Sequence, residues 1–375
     1  MIKIKEFNTV PATFLIAYHL FLLISLPIYF YFADFPGWGI WTTAFVLLYA
    51  TGLSITGGYH RYYSHRAFKA HPLVEPMLLF FGSMATQGSV LRWGFDHRIH
   101  HAHVDTDKDP YSINKGFWYA HCLWILEKPA EIDPKVVPDL MKNKWVMWQH
   151  EHYGWAMFGS NALMFLFVGW LSGDFWGAFF IATLLRMFAL HHFTWFINSL
   201  AHTWGDKPFC QEQSAVNNYI LALLTFGEGY HNYHHVFAND YRNGIRWYHF
   251  DPTKWLIWTL KKLGLASHLK QVDPLVINKR MVLERKNLLL EKIKVAWQEK
   301  KEELSQQIDD ISERILLQIN HFNQLKEQYQ ASKSSQAPAL LKELRLEIKE
   351  AKKRLKEDWR AWSRLSKNIL QMNEV

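Results

Sequence analysis

Residues 10–55 read VPATFLIAYHLFLLISLPIYFYF (Val10–Phe32), ADFPG (Ala33–Gly37) and WGIWTTAFVLLYATGLSI (Trp38–Ile55), and Asp34 is the one formally charged residue in the stretch. A helix needs about 17–25 apolar residues to cross a bilayer, so two such runs joined by a short turn read as a transmembrane hairpin. The pattern returns at Tyr153–Leu171 and Phe175–Ile197, joined by Ser172–Asp174. The expected fold class is an all-α membrane protein with four transmembrane helices in two hairpins. Neither turn contains Lys or Arg, while the remaining segments carry nearly all the basic residues of residues 1–275, beginning with Lys3 and Lys5. The positive-inside bias then places both termini and every long loop in the cytoplasm. Val10–Phe32 is too long for a signal-peptide core and has no small-residue cleavage pattern before Asp34, so it is expected to be retained. A further apolar run from Pro72 to Gly82, and on to Trp93, contains Glu75 and is broken by Gly82 and Gly88. It is expected to lie in the membrane interface.

Composition sets the outer limits. The 375-residue chain carries a net charge of +8 and is 49% hydrophobic, with 26 Phe, 18 Trp and 16 Tyr, which excludes disorder over most of its length. Its mean hydropathy of −0.15 resembles that of a soluble protein. That value averages two unlike segments, because residues 276–375 hold 21 of the 42 Lys and Arg and 15 of the 34 Asp and Glu. Cys122 and Cys210 are too few for a disulfide framework or a cysteine-built zinc or iron–sulfur site. A metal site in this chain must therefore be made from its 20 histidines.

Nine histidines fall in four places, each just after an apolar segment on the side read as cytoplasmic: His60 and His65 in HRYYSH, His97, His100 and His101 in HRIHH, His202 in NSLAH, and His231, His234 and His235 in HNYHH. On an α-helix the i, i+3 and i+4 positions lie within about 100° of arc, so each H-x-x-H-H triplet presents three imidazoles from one face. His60 and His65 would stand about 140° apart on an α-helix and could share a centre only by flanking it. Asn198 and His202 are i, i+4 neighbours. One interfacial histidine is ordinarily a hydrogen-bonded side chain. Two triplets and a pair on one membrane face would leave many polar groups unsatisfied without a cation, and neutral imidazole is a common ligand for iron, zinc and copper. His71, His103, His121, His150, His152, His249, His268 and His321 show no such arrangement and read as surface or supporting residues. His191 and His192, with Arg186 before them, lie inside the fourth span and should face the bundle or a cavity, too far from His202 to share its metal.

The segments HRYYSHRAFKAH, DHRIHHAHVDTDKDP, NSLAHTWG and GEGYHNYHHVFANDYRNG together resemble the membrane-bound fatty acid desaturases, specifically the acyl-CoA Δ9 (stearoyl-CoA) type, over about residues 10–270. The resemblance implies a cytosolic helical cap holding a histidine-ligated di-iron site. In that family nine histidines hold two iron ions (Fe2+). Carried over, His60, His65, His97, His101 and His234 would hold one iron, and His100, His202, His231 and His235 the other, with Asn198 reaching it through a water. Asp96, Asp105, Asp107, Asp109 and Glu228 are candidates to accept the free imidazole N–H groups and fix ring orientation. Breaking an unactivated C–H bond exceeds what acid–base chemistry supplies, so the expected reaction is O2-dependent desaturation of a saturated acyl chain to a cis-monounsaturated one, with O2 reduced to water. Trp93, Trp124 and Trp195 are candidate tunnel or headgroup contacts. Phe95 stands where related animal enzymes carry a basic residue for coenzyme A, and Lys128 is what remains of a second basic position. Fatty acyl-CoA is the leading carrier, with acyl carrier protein or a membrane lipid as alternatives.

The sequence has no His-Pro-Gly-Gly haem motif and no iron–sulfur cysteine pattern, so electrons are expected from a ferredoxin or a small cytochrome with its reductase. No nucleic-acid partner is expected. Residues 1–275 form the expected membrane fatty acid desaturase domain and 276–375 a charged helical extension. In the extension Leu304, Ile308, Ile311, Ile315, Phe322, Leu325 and Tyr329 keep a four-three spacing interrupted by Gln318. Leu341, Leu344, Ile348, Ala351, Leu355, Trp362, Leu365, Ile369 and Met372 do the same, interrupted by Asp358. With the turn-forming residues 331–338 between them, these runs predict a coiled-coil-like helical hairpin suited to self-association or docking. Competing functions are an acyl-lipid desaturase, a histidine-box di-iron hydroxylase, and a non-enzymatic metal-binding membrane scaffold.

Overall fold

A computed structural model describes residues 6–296, 300–333 and 338–371. Lys3, Lys5, Met372 and residues 334–337 of the linker expected at 331–338 lie outside them. Contacts divide the chain into two compact units, one of residues 1–207 and 212–271 and the other of 208–211 and 272–375.

In the first unit, four helices are long and apolar enough to cross a membrane, Thr9–Phe32, Trp38–Ser64, Tyr153–Ser172 and Phe175–His202, which makes the chain a multi-pass membrane protein. Helix α1 (Thr9–Phe32) contains no acidic or basic cap and tolerates Pro27. Helix α2 (Trp38–Leu53) continues into a π-helical segment, Ser54–Ser64, which carries the span nine residues beyond the apolar run that ended at Ile55. After α3 (Val74–Met84) and α4 (Val90–His103) comes the third span, α5 (Tyr153–Ser172). The fourth begins with a turn at Phe175–Gly177, passes through a second π-helical segment, Ala178–Leu185, and ends as α6 (Arg186–Asn198). The membrane core packs Tyr18, Leu22 and Tyr29 of α1 with Ile40 and Leu47 of α2 and Ile181 of the fourth span.

Helix α3 does more than lie at an interface: Leu78, Leu79, Gly82, Ser83 and Met84 are buried, and its C-terminal carbonyls meet side chains from the middle of the fourth span. A helix end leaves several carbonyls without partners and carries partial negative charge. Arg186 Nη1 donates to Met84 O at 3.1 Å and Asn161 Nδ2 donates to the same oxygen at 3.2 Å. His191 Nε2 donates to Ala85 O and Thr86 O, both at 3.1 Å. These contacts explain a buried arginine and histidine inside a span. His192 has a different role: it bridges His19 of α1 at 3.3 Å and His121 at 3.1 Å, making a string of imidazoles that ties α1 to α6. His121 is buried rather than superficial.

Two short helices complete the unit near the histidines, α7 (His231–Val236) and α8 (Pro252–Lys262). A two-residue antiparallel strand pair, Lys69–Ala70 with Ala266–Ser267, ties the segment after α8 to the loop after the second span.

Among the described residues the second unit contains three helices, α9 (Pro274–Ala296), α10 (Lys301–Ser332) and α11 (Pro338–Gln371). Its core joins Val282 and Leu289 of α9 to Ile308, Ile315 and Ile319 of α10 and Trp362 and Ile369 of α11. Leu325 packs with Leu344, while the opposite end of α10 packs with Ile369, so α10 and α11 run antiparallel. The two residues that interrupt the apolar repeats meet: Gln318 Nε2 donates to Asp358 Oδ2 at 2.6 Å, and Arg314 lies 3.6 Å from the same carboxylate. Sequence reading anticipated two heptad helices and missed α9 as their third partner, because its apolar positions are diluted by Lys and Arg.

Candidate metal centre

Two groups of histidines converge, His60, His65, His97, His101 and His234 in one and His100, His202, His231 and His235 in the other. Within each group one nitrogen per residue lies within 4.8 Å of all the others. The π-helical segment changes the geometry of the first pair. Its hydrogen bonds run from i to i+5, and the His65 N–H donates to His60 O at 3.1 Å, so the two rings stand on one side with centroids 4.8 Å apart. The flanking arrangement expected from α-helical phasing is therefore replaced by a shared face.

The triplets behave differently from one another only in which group each ring joins. Helix α4 sends His97 and His101 to the first group and His100 to the second. Helix α7 sends His234 to the first and His231 and His235 to the second. The groups are adjacent, with His101 and His235 stacked at 4.4 Å between centroids.

It is the Nε2 atoms that face inward. In the first group, His60 and His234 approach to 2.9 Å, His65 and His97 to 2.8 Å, and His101 and His234 to 3.0 Å. In the second, His202 and His231 approach to 3.1 Å, His231 and His235 to 3.1 Å, and His100 and His235 to 3.3 Å. The outward nitrogens are engaged where acids reach them. His60 Nδ1 donates to Glu228 Oε2 at 3.0 Å, and His100 Nδ1 donates to Asp109 Oδ1 at 2.9 Å. That assignment leaves a lone pair on the inward Nε2 of both rings, and lone pairs crowded at these distances call for a cation. Burial and neighbouring imidazoles push His65, His97, His101, His231, His234 and His235 well below the usual histidine range, which keeps them neutral and able to ligate.

The five candidate acids separate by position. Glu228 is buried and also accepts from Arg61 Nη2 at 2.8 Å and Asn243 Nδ2 at 2.5 Å. Burial works to raise its carboxyl, but Arg61 and His60 outweigh that and hold it below the usual value. Asp109 is buried on His100. Asp105 reaches the centre through a relay: its carboxylate accepts from the Ser214 N–H at 2.7 Å and from the Ser214 hydroxyl, whose oxygen lies 2.6 Å from His202 Nδ1. Asp96 pairs with Arg92 at 3.1 Å, and burial pushes it up to about 6. Asp107 is exposed.

Trp93 stacks on His97 at 4.8 Å, at the edge of the first group. Trp195 stacks instead on His191 at 5.2 Å, and Trp124 lies 5.0 Å from Tyr111, a neighbour of His100. Asn198, the last residue of α6, is half-buried. Lys128 is tied to the chain's beginning, donating from Nζ to Glu6 at 2.7 Å and from its backbone N–H to Glu6 O at 2.8 Å. Sequence reading missed Tyr111, which lies 3.2 Å from His97 Nδ1, and Ser214, since neither belongs to a histidine segment. It also missed Arg61, Asn243 and Asp251, the last of which accepts from Arg61 Nη2 at 3.0 Å, although the first lies inside HRYYSH and the second inside DYRNG.

The sequence pattern of the fatty acid desaturase family matches residues 36–268, and the chain belongs to that family. It is 46% identical over 253 residues to a probable acyl-CoA desaturase of Schizosaccharomyces pombe, a match covering 66% of this chain and 53% of the relative. Acyl-CoA desaturase 1 of Saccharomyces cerevisiae is 39% identical over 260 residues, covering 67% and 50% respectively. The sn-1 stearoyl-lipid 9-desaturase of Anabaena variabilis is 35% identical over 239 residues, 63% of this chain and 86% of the relative. The chain spans about half the length of the two fungal relatives it matches.

Proposed function

We propose that the chain is an O2-dependent acyl desaturase with two iron ions, converting a saturated fatty acyl chain, as acyl-CoA, to a cis-monoenoic product at the Δ9 position. The observation that carries this reading is the pair of converging imidazole groups, five and four residues, in a family of fatty acid desaturases. His60, His65, His97, His101 and His234 hold one iron; His100, His202, His231 and His235 hold the other, with Asn198 contributing through water. When bound, the metals would activate O2, which supplies the oxidising power that an unactivated methylene requires. Burial keeps His65, His97, His101, His231, His234 and His235 neutral, while Glu228 and Asp109 fix His60 and His100, and Ser214 with Asp105 orients His202. Trp93 shields the His97 side from water. Two electrons per turnover come from a ferredoxin or a small cytochrome with its reductase.

The spans form two hairpins, with the termini, the histidines and the helices around them as a cytosolic cap. Residues 1–275 are the desaturase domain, and 276–375 a coiled-coil-like extension that also serves self-association. Expression in an unsaturated-fatty-acid auxotroph tests the reading. Rescued growth and a new monoenoic acid, its double bond located after derivatisation by gas chromatography and mass spectrometry, are expected. A hydroxylated chain as the sole product overturns it in favour of a hydroxylase.

A further inference from the structure

Helix α11 segregates its charge in a way that core packing does not explain. With Ile348 of the buried seam set at 0°, Lys349, Lys352, Lys353, Lys356, Arg360 and Arg364 fall within an arc of about 120° on one flank at 100° per residue. Lys342 and Arg345 extend this face at one end and Lys367 at the other. No acidic residue lies within the arc; Glu343, Glu347, Glu350, Glu357 and Asp358 all point elsewhere around the helix. The nine basic residues are all exposed, and among the described residues none is ion-paired. Arg345 alone donates to a neighbour, the Tyr329 hydroxyl at 2.8 Å. The stripe spans 26 residues from Lys342 to Lys367, roughly 38 Å of straight helix.

A solvated helix face usually alternates charge, with i, i+4 pairs of opposite sign. Here the steps 345–349, 349–353, 352–356, 356–360 and 360–364 are all cation on cation, and each weakens the isolated helix. Such a face is relieved by an external polyanion. Protein interfaces concentrate their affinity in an apolar centre. Lys356, Arg360 and Arg364 line a wide-open hollow with Ser363 and the half-buried Trp359, too open to enclose an apolar anchor, and apart from the exposed Leu346 at its edge the arc itself carries no large aliphatic or aromatic side chain. A flat sheet of anionic headgroups needs no such anchor and meets a straight rod along its whole length. The unit is also covalently tethered to four bilayer-spanning helices, which keeps a membrane surface at high effective concentration.

We infer that the Lys342–Lys367 face of α11 docks on anionic lipid headgroups. The inference stands apart from the metal centre and can be tested whatever reaction the protein catalyses. The full chain is placed in nanodiscs of neutral phosphatidylcholine, or with about 30% phosphatidylserine. Acylation of each lysine is followed by mass spectrometry, with Lys326 of α10 as the internal reference. Modification of Lys349, Lys352, Lys353, Lys356 and Lys367 should slow roughly fivefold or more in the anionic discs and recover in about 0.5 M salt, while Lys326 is unchanged. Reversing Lys352, Lys356 and Arg360 to Glu should remove the protection of Lys349 and Lys367, with helicity checked by circular dichroism. Equal rates in both discs overturn the inference. So does protection that is already present in neutral discs, which would mean that protein covers the face.

Discussion

Replacing Glu228 by Gln is the sharpest test of how the centre is built. The substitution preserves shape and removes one acceptor. Glu228 Oε2 accepts from His60 at 3.0 Å and Asn243 at 2.5 Å, and Oε1 accepts from Arg61 at 2.8 Å. An amide has one oxygen and one NH2, so whichever way Gln is turned its NH2 faces a donor, either Arg61 or the His60–Asn243 pair. Arg61 has no acceptor to offer an NH2, whereas His60 can change tautomer and Asn243 can turn its unpartnered Oδ1 inward, so the NH2 settles facing His60 and Asn243; the ring then loses the acceptor that keeps its proton on Nδ1, and the proton can move to the inward Nε2. Loss of an orienting partner of this kind lowers metal affinity roughly ten- to a hundredfold, about 1.4–2.7 kcal/mol. Arg61 keeps Asp251 at 3.0 Å and Tyr241 O at 2.8 Å, so the cost in folding stability should be limited to about 1–3 kcal/mol. Purified wild-type, Glu228→Gln and Asp107→Asn proteins are titrated with an iron chelator, bound iron is measured by atomic absorption, and stability by thermal melting. Asp107 is exposed and should behave as wild type. Retention of iron by Glu228→Gln to the same chelator concentration as wild type would refute the reasoning.

Ser214→Ala breaks the relay from Asp105 to His202 and should weaken iron retention by roughly tenfold in the same titration, at the mild end of supporting-residue effects. Arg186→Leu leaves Met84 O with Asn161 and the Thr86 hydroxyl, removes the donor to Asn161 Oδ1, and should lower stability by about 2–4 kcal/mol, read as a reduced melting temperature; an unchanged melt would exclude the proposed helix capping. Gln318→Leu and Asp358→Leu should each destabilise α10–α11 packing, while the double substitution should cost less than their sum by about 0.5–3 kcal/mol, a coupling that a double-mutant cycle measures directly. For acid, six depressed histidines of the two groups, His65, His97, His101, His231, His234 and His235, bind protons less readily folded than unfolded. Their contribution to stability is therefore complete above the unfolded value near 6.5 and declines as pH falls below it. Melting temperature of the iron-free protein measured from pH 8 to 5 should drop on the acid side, and a rise would contradict the assignment of neutral buried rings.

Much of the site was legible in one dimension because both H-x-x-H-H triplets lie on α-helices, where spacing alone puts three rings on one face. His60 and His65 were not legible in that way. Nothing in SITGGYHRYYS announces a π-helix, and α-helical phasing turned the pair apart. The acids illustrate the same limit. Asp96, Asp105, Asp107, Asp109 and Glu228 all lie close to histidines in sequence, yet Glu228 and Asp109 touch a ring, Asp105 acts through Ser214, Asp96 faces Arg92, and Asp107 faces solvent. Gln318 and Asp358 looked like independent flaws in two repeats until antiparallel packing placed one against the other.

The sequence by itself determined four bilayer-length helices, the dependence of any metal site on histidine, and the split between an apolar body and a charged extension. Hydropathy, ligand chemistry and helical periodicity are properties of the chain's composition and order. Tertiary structure decided which ring joins which group, how His60 comes beside His65, and why Arg186 and His191 are buried at the end of α3. Those depend on the approach of segments distant in sequence, where the direction of one N–H or one lone pair is set by a partner that local spacing does not specify.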